Sequence, residues 1–222
     1  MTCSSVQVID KTNSISYYTT NISKGKRINR MGGKKHVRLD KQAVLQAAAN
    51  LVNAEGIGAL TLSRLAKDLG IRSPSLYNHV DGLPGLQREL AVMNARLIAD
   101  HLSEAAIGKS GSELFMSVAQ AFRNYVKEYP GLYMSSLRSS GNQAAPGEDL
   151  IREEERSLKI GLAVMASLGL QGEDAIHTLR AFRSMVHGFA TLEVAGGFGL
   201  PQDRDESFRR LAVALVNGLK RV

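Results

Sequence analysis

The stretch from Thr61 to Val80, TLSRLAKDLGIRSPSLYNHV, constrains the fold of this chain more than any other. It reads as two short helices joined by a tight turn. Leu62, Leu65, Ala66 and Leu69 recur at i, i+3, i+4 and i+7, which is one face of a helix. Thr61 stands where its hydroxyl can cap that helix by accepting an orphan backbone N–H. Gly70 follows where a helix closes in the left-handed conformation, which glycine reaches without a Cβ clash. Ile71 is expected to plug the gap between the helices. Ser73 reads as a second N-cap, with Pro74 at the first helical position. Leu76 and Val80, four apart, should face inward, leaving Ser75, Tyr77, Asn78 and His79 on other faces. A short helix with a polar outer face suits a DNA major groove, where base edges are read near the helix N-terminus. An ordinary helical hairpin with solvated polar residues would give the same pattern.

The flanking sequence is helical too. Asp40 and Gly56 bracket a helix from about 41 to 55, with Val44, Leu45, Ala48, Leu51 and Val52 as its apolar stripe. A longer helix, from about 84 to 106, carries Leu86, Leu90, Met93, Leu97 and Leu102. It is too long for a small domain alone and should link that domain to the next. Breaks near 109–112, 129–131, 139–147, 170–172 and 196–201 leave segments of about 112–129, 131–138, 148–169, 173–195 and 203–220. The expected fold is all-α, with about nine helices: a three-helix DNA-binding unit with a helix-turn-helix, then a helical bundle with short loops.

Charge divides the chain. Its net charge is +7, and residues 1–40 hold eight Lys or Arg against two Asp. The body is therefore nearly neutral. Residues 1–36, rich in Ser, Thr, Asn, Lys and Gly, read as a disordered basic arm, either a nucleic-acid arm or a solvated tail. Met31 is an alternative translation start. The single Cys3 allows no intrachain disulfide and suits a reducing cytoplasm. No 18-residue apolar run argues for a membrane span.

Taken together, LTLSRLAKDLGIRSPSLYNHV and the preceding QAVLQAAANLVNAEG resemble the DNA-binding domain of the TetR family of bacterial regulators, over roughly residues 40–99. The ending Leu76-Tyr77-Asn78-His79-Val80 is the most characteristic part. The resemblance implies a homodimer on double-stranded DNA with a palindromic operator. It assigns residues 37–97 to DNA binding and 98–222 to ligand binding and dimerisation. It makes Tyr77 and His79 phosphate contacts, and Ser75 and Asn78 are candidates for base edges. Thr61, Ser63, Ser73 and Leu76 complete the expected DNA-binding set, with Arg64 and Arg72 as phosphate partners from charge alone. One departure stands out. The family usually has a Lys at the start of the fourth helix, and residues 81–84 here read Asp-Gly-Leu-Pro. A weaker resemblance, Met185-Val186-His187-Gly188-Phe189, is to the WHG-type C-terminal domain of TetR-like regulators, with Val186 where Trp is usual.

In the C-terminal half, apolar residues cover more than one face of the last two long helices, enough to serve a core and a partner chain together. Phe189, Leu192, Leu211, Leu215 and Leu219 are the expected dimer contacts. Tyr133, Met165, Phe182 and Met185, with His177 and His187 as polar anchors, are the expected pocket for a small, largely apolar effector. Glu153-Glu154-Glu155 reads as a solvated face. No metal-ligand, nucleophile-triad or phosphate-loop spacing stands out, so no cofactor, metal or enzymatic role is expected. The reading is a DNA-binding transcriptional regulator, a repressor released from its operator by a small-molecule effector. An architectural DNA-binding factor without an effector, and a protein-interaction module with an idle helix-turn-helix, are the alternatives.

Overall fold

The computed structural model describes residues 39–139 and 146–219. The expected arm at 1–36, with its alternative start at Met31, and the middle of the expected break at 139–147 lie outside those residues. Nine α-helices and no strand are present among the described residues. No described helix is long and apolar enough to cross a membrane.

Helix α1 (Lys41–Glu55) starts at Asp40, whose Oδ1 accepts the Ala43 backbone N–H at 2.8 Å. It buries Val44, Ala48, Ala49, Leu51 and Val52, while Leu45, expected on the stripe, is only half-buried. A single 3-10 turn (Ile57–Ala59) leads to α2 (Leu62–Leu69), capped by Thr61 Oγ1 accepting the Arg64 N–H at 3.1 Å. Gly70 takes φ +68°, the left-handed region, and its N–H closes onto the carbonyls of Ala66 and Lys67. Helix α3 is a single turn (Ser73–Leu76), shorter than the expected 74–79. Ser73 is not its N-cap: Arg72 is the extended residue before the helix, and no side chain caps it. Residues 77–79 continue as turns, with the His79 and Val80 N–H groups both reaching the Leu76 carbonyl.

Helix α4 (Gly82–Ala106) begins two residues before the expected Pro84 and spans about 37 Å at 1.5 Å per residue. The rest follow as α5 (Gly111–Glu128), α6 (Pro130–Ser139), α7 (Glu148–Ser167), α8 (Gly172–Val194) and α9 (Arg204–Leu219). Each lies within two residues of its expected bounds.

Two apolar clusters result. The first gathers α1, α2, α3 and the start of α4 around Val44, Ala48, Leu65, Leu76 and Leu86. The second fills the bundle around Phe115, Phe122, Met165, Phe182 and Phe208. Leu97 of α4, and Tyr129 just before α6, pack against both. Leu132 of α6 belongs to the first cluster, although it is remote from the helix-turn-helix in sequence. Its backbone N–H donates to Asn53 Oδ1 at 2.8 Å. The neighbouring Gly131 allows this approach, because a Cβ there would lie 1.9 Å from the Val52 carbonyl oxygen.

Charge pairs fasten the long helices. Arg123 of α5 is fully buried and grips Glu193 of α8 with two hydrogen bonds, both 2.8 Å. Its third nitrogen lies 2.7 Å from Asp205 of α9, and its guanidinium rests over the rings of Phe189 and Phe208. Arg123 first, then Lys127, holds the Glu193 carboxyl below the usual range despite burial. Glu153 corrects the expectation of a solvated Glu153–Glu155 face. It is buried between Arg96 of α4 (3.2 Å) and Arg156 (2.6 Å). Burial alone would raise its pKa, but the two arginines outweigh it and hold it low.

Candidate nucleic-acid interface

The helix-turn-helix presents its polar residues from a rigid base. Leu65, Ala66, Leu76 and Val80 are buried in the first cluster, and this fixes α2 and α3 against α1. Leu76 is fully buried, so it belongs to the core and not to the contact set. Inward packing of Leu76 turns its neighbours outward: Tyr77 is 63% exposed, Asn78 and Arg72 are exposed, and Ser73, Ser75 and His79 are half-buried. Thr61 and Ser63 are exposed at the start of α2, but the Thr61 hydroxyl is engaged as a cap.

The two arginines expected at phosphates differ. Arg64 is held by carboxylates on both sides, Glu55 at 2.7 Å and Asp68 at 3.0 Å. Those two acids balance its charge within the protein, which argues against Arg64 as a phosphate partner. Arg72 makes no ion pair among the described residues.

Beside the turn after α3 lies an open cleft of about 430 Å³, walled by Tyr77 and His79, by Lys41 of α1, and by Asp81, Arg88 and Glu89 near the start of α4. Sequence reading passed over Lys41 and Arg88. Neither falls within the helix-turn-helix motif, and only the fold brings α1 and the start of α4 beside the turn after α3.

The expected effector residues sit mostly in the second cluster. Tyr133, Met165 and Phe182 are buried, and Met185 is half-buried against them. Tyr133 Oη and His187 Nδ1 share a hydrogen bond at 2.9 Å. His177 is a correction: it lies on the exposed face of α8, so it is no anchor in that core. A second polar pair lies nearby, Tyr125 donating to Asn94 Oδ1 at 2.6 Å. Of the expected dimer residues, Phe189 is corrected to the chain's own core, stacked with Phe198 and Phe208. Leu192 and Leu211 are 52% and 42% exposed, while Leu215 and Leu219 are half-buried. No group of three or more metal-ligating side chains is assembled among the described residues.

An all-α chain with a buried-leucine helix-turn-helix at one end and a helical bundle at the other is a helix-turn-helix regulator in form. Residues 115–215 match the family described as "Tetracyclin repressor-like, C-terminal domain". Over 184 residues, 83% of each chain, the sequence is 30% identical to the uncharacterized HTH-type transcriptional regulator Rv0681 of Mycobacterium tuberculosis. A protein of unknown function from Rhodococcus sp. RHA1 shares the fold, with a TM-score of 0.70 and 18% identity, over 83% of this chain and 97% of that one. So does a TetR variant of Acinetobacter baumannii AYE in complex with minocycline, with a TM-score of 0.58 and 22% identity, over 83% and 98%. The chain belongs to the TetR family of transcriptional regulators and is a DNA-binding regulator of that family.

Proposed function

We propose that the protein is a homodimeric repressor that occupies a near-palindromic operator and leaves it when a small, largely apolar effector binds the bundle. The observation that carries the DNA part is the split at α3. Leu76 and Val80 are buried, while Tyr77, Asn78, Ser75 and His79 reach solvent side by side. In this reading Tyr77 and His79 hold phosphates and set register, while Ser75 and Asn78 meet base edges and set sequence. Two such heads on a twofold dimer enter successive major grooves about 34–36 Å apart.

Residues 37–97 are the reading head and 98–222 the effector and dimer region, with α4 running through both. The dimer is built on α8 and α9, where Leu192 and Leu211 leave apolar surface exposed among the described residues. The effector reading rests on the Tyr133–His187 pair, a polar couple among Phe122, Met165 and Phe182. Apolar walls with few polar groups suit a ligand site. The minocycline complex of the related fold shows a small molecule bound by another family member.

Selection of genomic fragments by the purified full chain, followed by footprinting, tests this directly. Two symmetric protected half-sites are expected. Dispersed binding without symmetric protection would overturn the repressor reading in favour of an architectural factor.

A further inference from the structure

No base stands at residues 81–84, where α4 begins. We propose that Arg88, one to two turns further on, supplies the missing cation. It clamps a phosphodiester of duplex DNA in the cleft beside Tyr77 and His79, an inference that rests on the DNA-binding reading above.

Four charged side chains wall this cleft, and their pairing separates them. Lys41 Nζ lies 2.6 Å from Glu89 Oε1, a closed hydrogen-bonded pair. Arg88 Nη2 is 3.7 Å from Asp81 Oδ2, beyond hydrogen-bond length. Arg88 is 55% exposed at its side chain and Asp81 is 97% exposed, so water screens what attraction remains. A loose pair at that exposure contributes little, whereas a phosphate offers the planar guanidinium two oxygens at once.

Space permits the exchange. A Cβ on Gly85 would lie 2.7 Å from the Asp81 Cβ and 3.6 Å from Arg88 Nη2. Only glycine at this position tolerates the close approach of the Asp81 Cβ, while the contact to the guanidinium would be an ordinary one. Tyr77, 63% exposed, and His79 line the same cleft. A phosphodiester held in the cleft would meet Arg88 together with Tyr77 and His79. Arg88 is therefore a positioning residue. It fixes how α3 sits on the backbone and reads no base, so its effect should not depend on sequence. Asp81 is its competitor, because it holds the cation loosely in the free protein and repels the incoming phosphate.

The test is fluorescence anisotropy of the full chain on selected operator DNA and on a random-sequence duplex, across a salt series. Arg88→Gln should weaken both duplexes by the same factor. Each protomer of the dimer loses one contact, so the salt slope should be lower by about 1.8, and between 50 and 200 mM salt the wild type loses about 12-fold more affinity than the variant. Arg88→Lys should retain the wild-type slope. Asp81→Asn should tighten both duplexes, and it is informative even if Arg88→Gln folds poorly. An unchanged slope in folded Arg88→Gln, or no tightening in Asp81→Asn, overturns the assignment and leaves the DNA-binding reading intact. Failure of the wild type to bind any duplex removes that reading and this one together.

Discussion

Replacing Gly131 by alanine drives a methyl group into the backbone of another helix. The new Cβ would lie 1.9 Å from the Val52 carbonyl oxygen, 2.6 Å from its carbon and 2.8 Å from Asn53 Cα. Ordinary van der Waals contact begins at 3.4 Å, so the first turn of α6 must retreat from α1 by about 1.5 Å. No side chain can rotate to relieve this, because all three atoms are main chain. The retreat also stretches the Leu132 N–H bond to Asn53 Oδ1, now 2.8 Å, and draws Leu132 out of its cluster. Overpacking costs about 1–3 kcal/mol and a lost hydrogen bond about 1 kcal/mol more. Alanine's better fit to a helix returns about 0.5–1 kcal/mol. A net loss of about 1–3 kcal/mol should lower Tm by roughly 2–12 °C for a chain of this size. Thermal melts by circular dichroism measure it, and operator affinity should change in the same variant because the head is re-seated on the bundle. A melt at or above that of the wild type would refute the reasoning.

Other expectations are simpler to check. Asn78→Ala should cost about 1–3 kcal/mol at one operator position and relax preference there, whereas Tyr77→Ala should weaken all sequences alike, as read by binding to a panel of single-base variants. Leu211→Glu should yield folded monomers in sedimentation, because this residue is exposed in the single chain and its charge is buried only in a dimer. Folded dimers would rule out this face of α9. In acid, Glu193 and Glu153 keep their charge in the folded chain below the ordinary value of 4.5, so the unfolded chain takes up protons first. Their contribution is complete above the ordinary carboxylate range and is lost as pH falls through their lowered folded values. Glu193→Gln should lose about 3–5 kcal/mol at neutral pH, because it breaks a buried pair, and should show a shallower acid limb in denaturant titrations.

Much of this architecture was legible in the sequence because its signals are local. Asp40, Thr61, Gly56 and Gly70 punctuate helices through their own backbone needs, and the leucine spacing of α2 and α4 declares a face. Failures arose where partners come from elsewhere. Glu153 sits in a run of three acids, and nothing local says that Arg96, 57 residues away, will bury it. Phe189 belongs to a helix with apolar residues on several faces, and only the fold decides that Phe198, Phe208 and Arg123 claim it. Ser73 has the composition of a cap, yet the chain turns helical one residue sooner, with Pro74 still in the first turn, where its missing N–H costs nothing. Arg88 lay outside the motif altogether.

The seat of Leu132 bears on how such proteins can be recombined. A reading head excised at the end of α4 would carry a hole where Leu132 belongs and an Asn53 side chain without its backbone donor. Grafting this head onto another member's bundle would import a foreign residue into that hole. A transplant of this head therefore has a seam that is not contiguous in sequence. A functional chimera must carry the first turn of α6 along with residues 39–106, or else rebuild Val52 and Asn53 to suit the recipient.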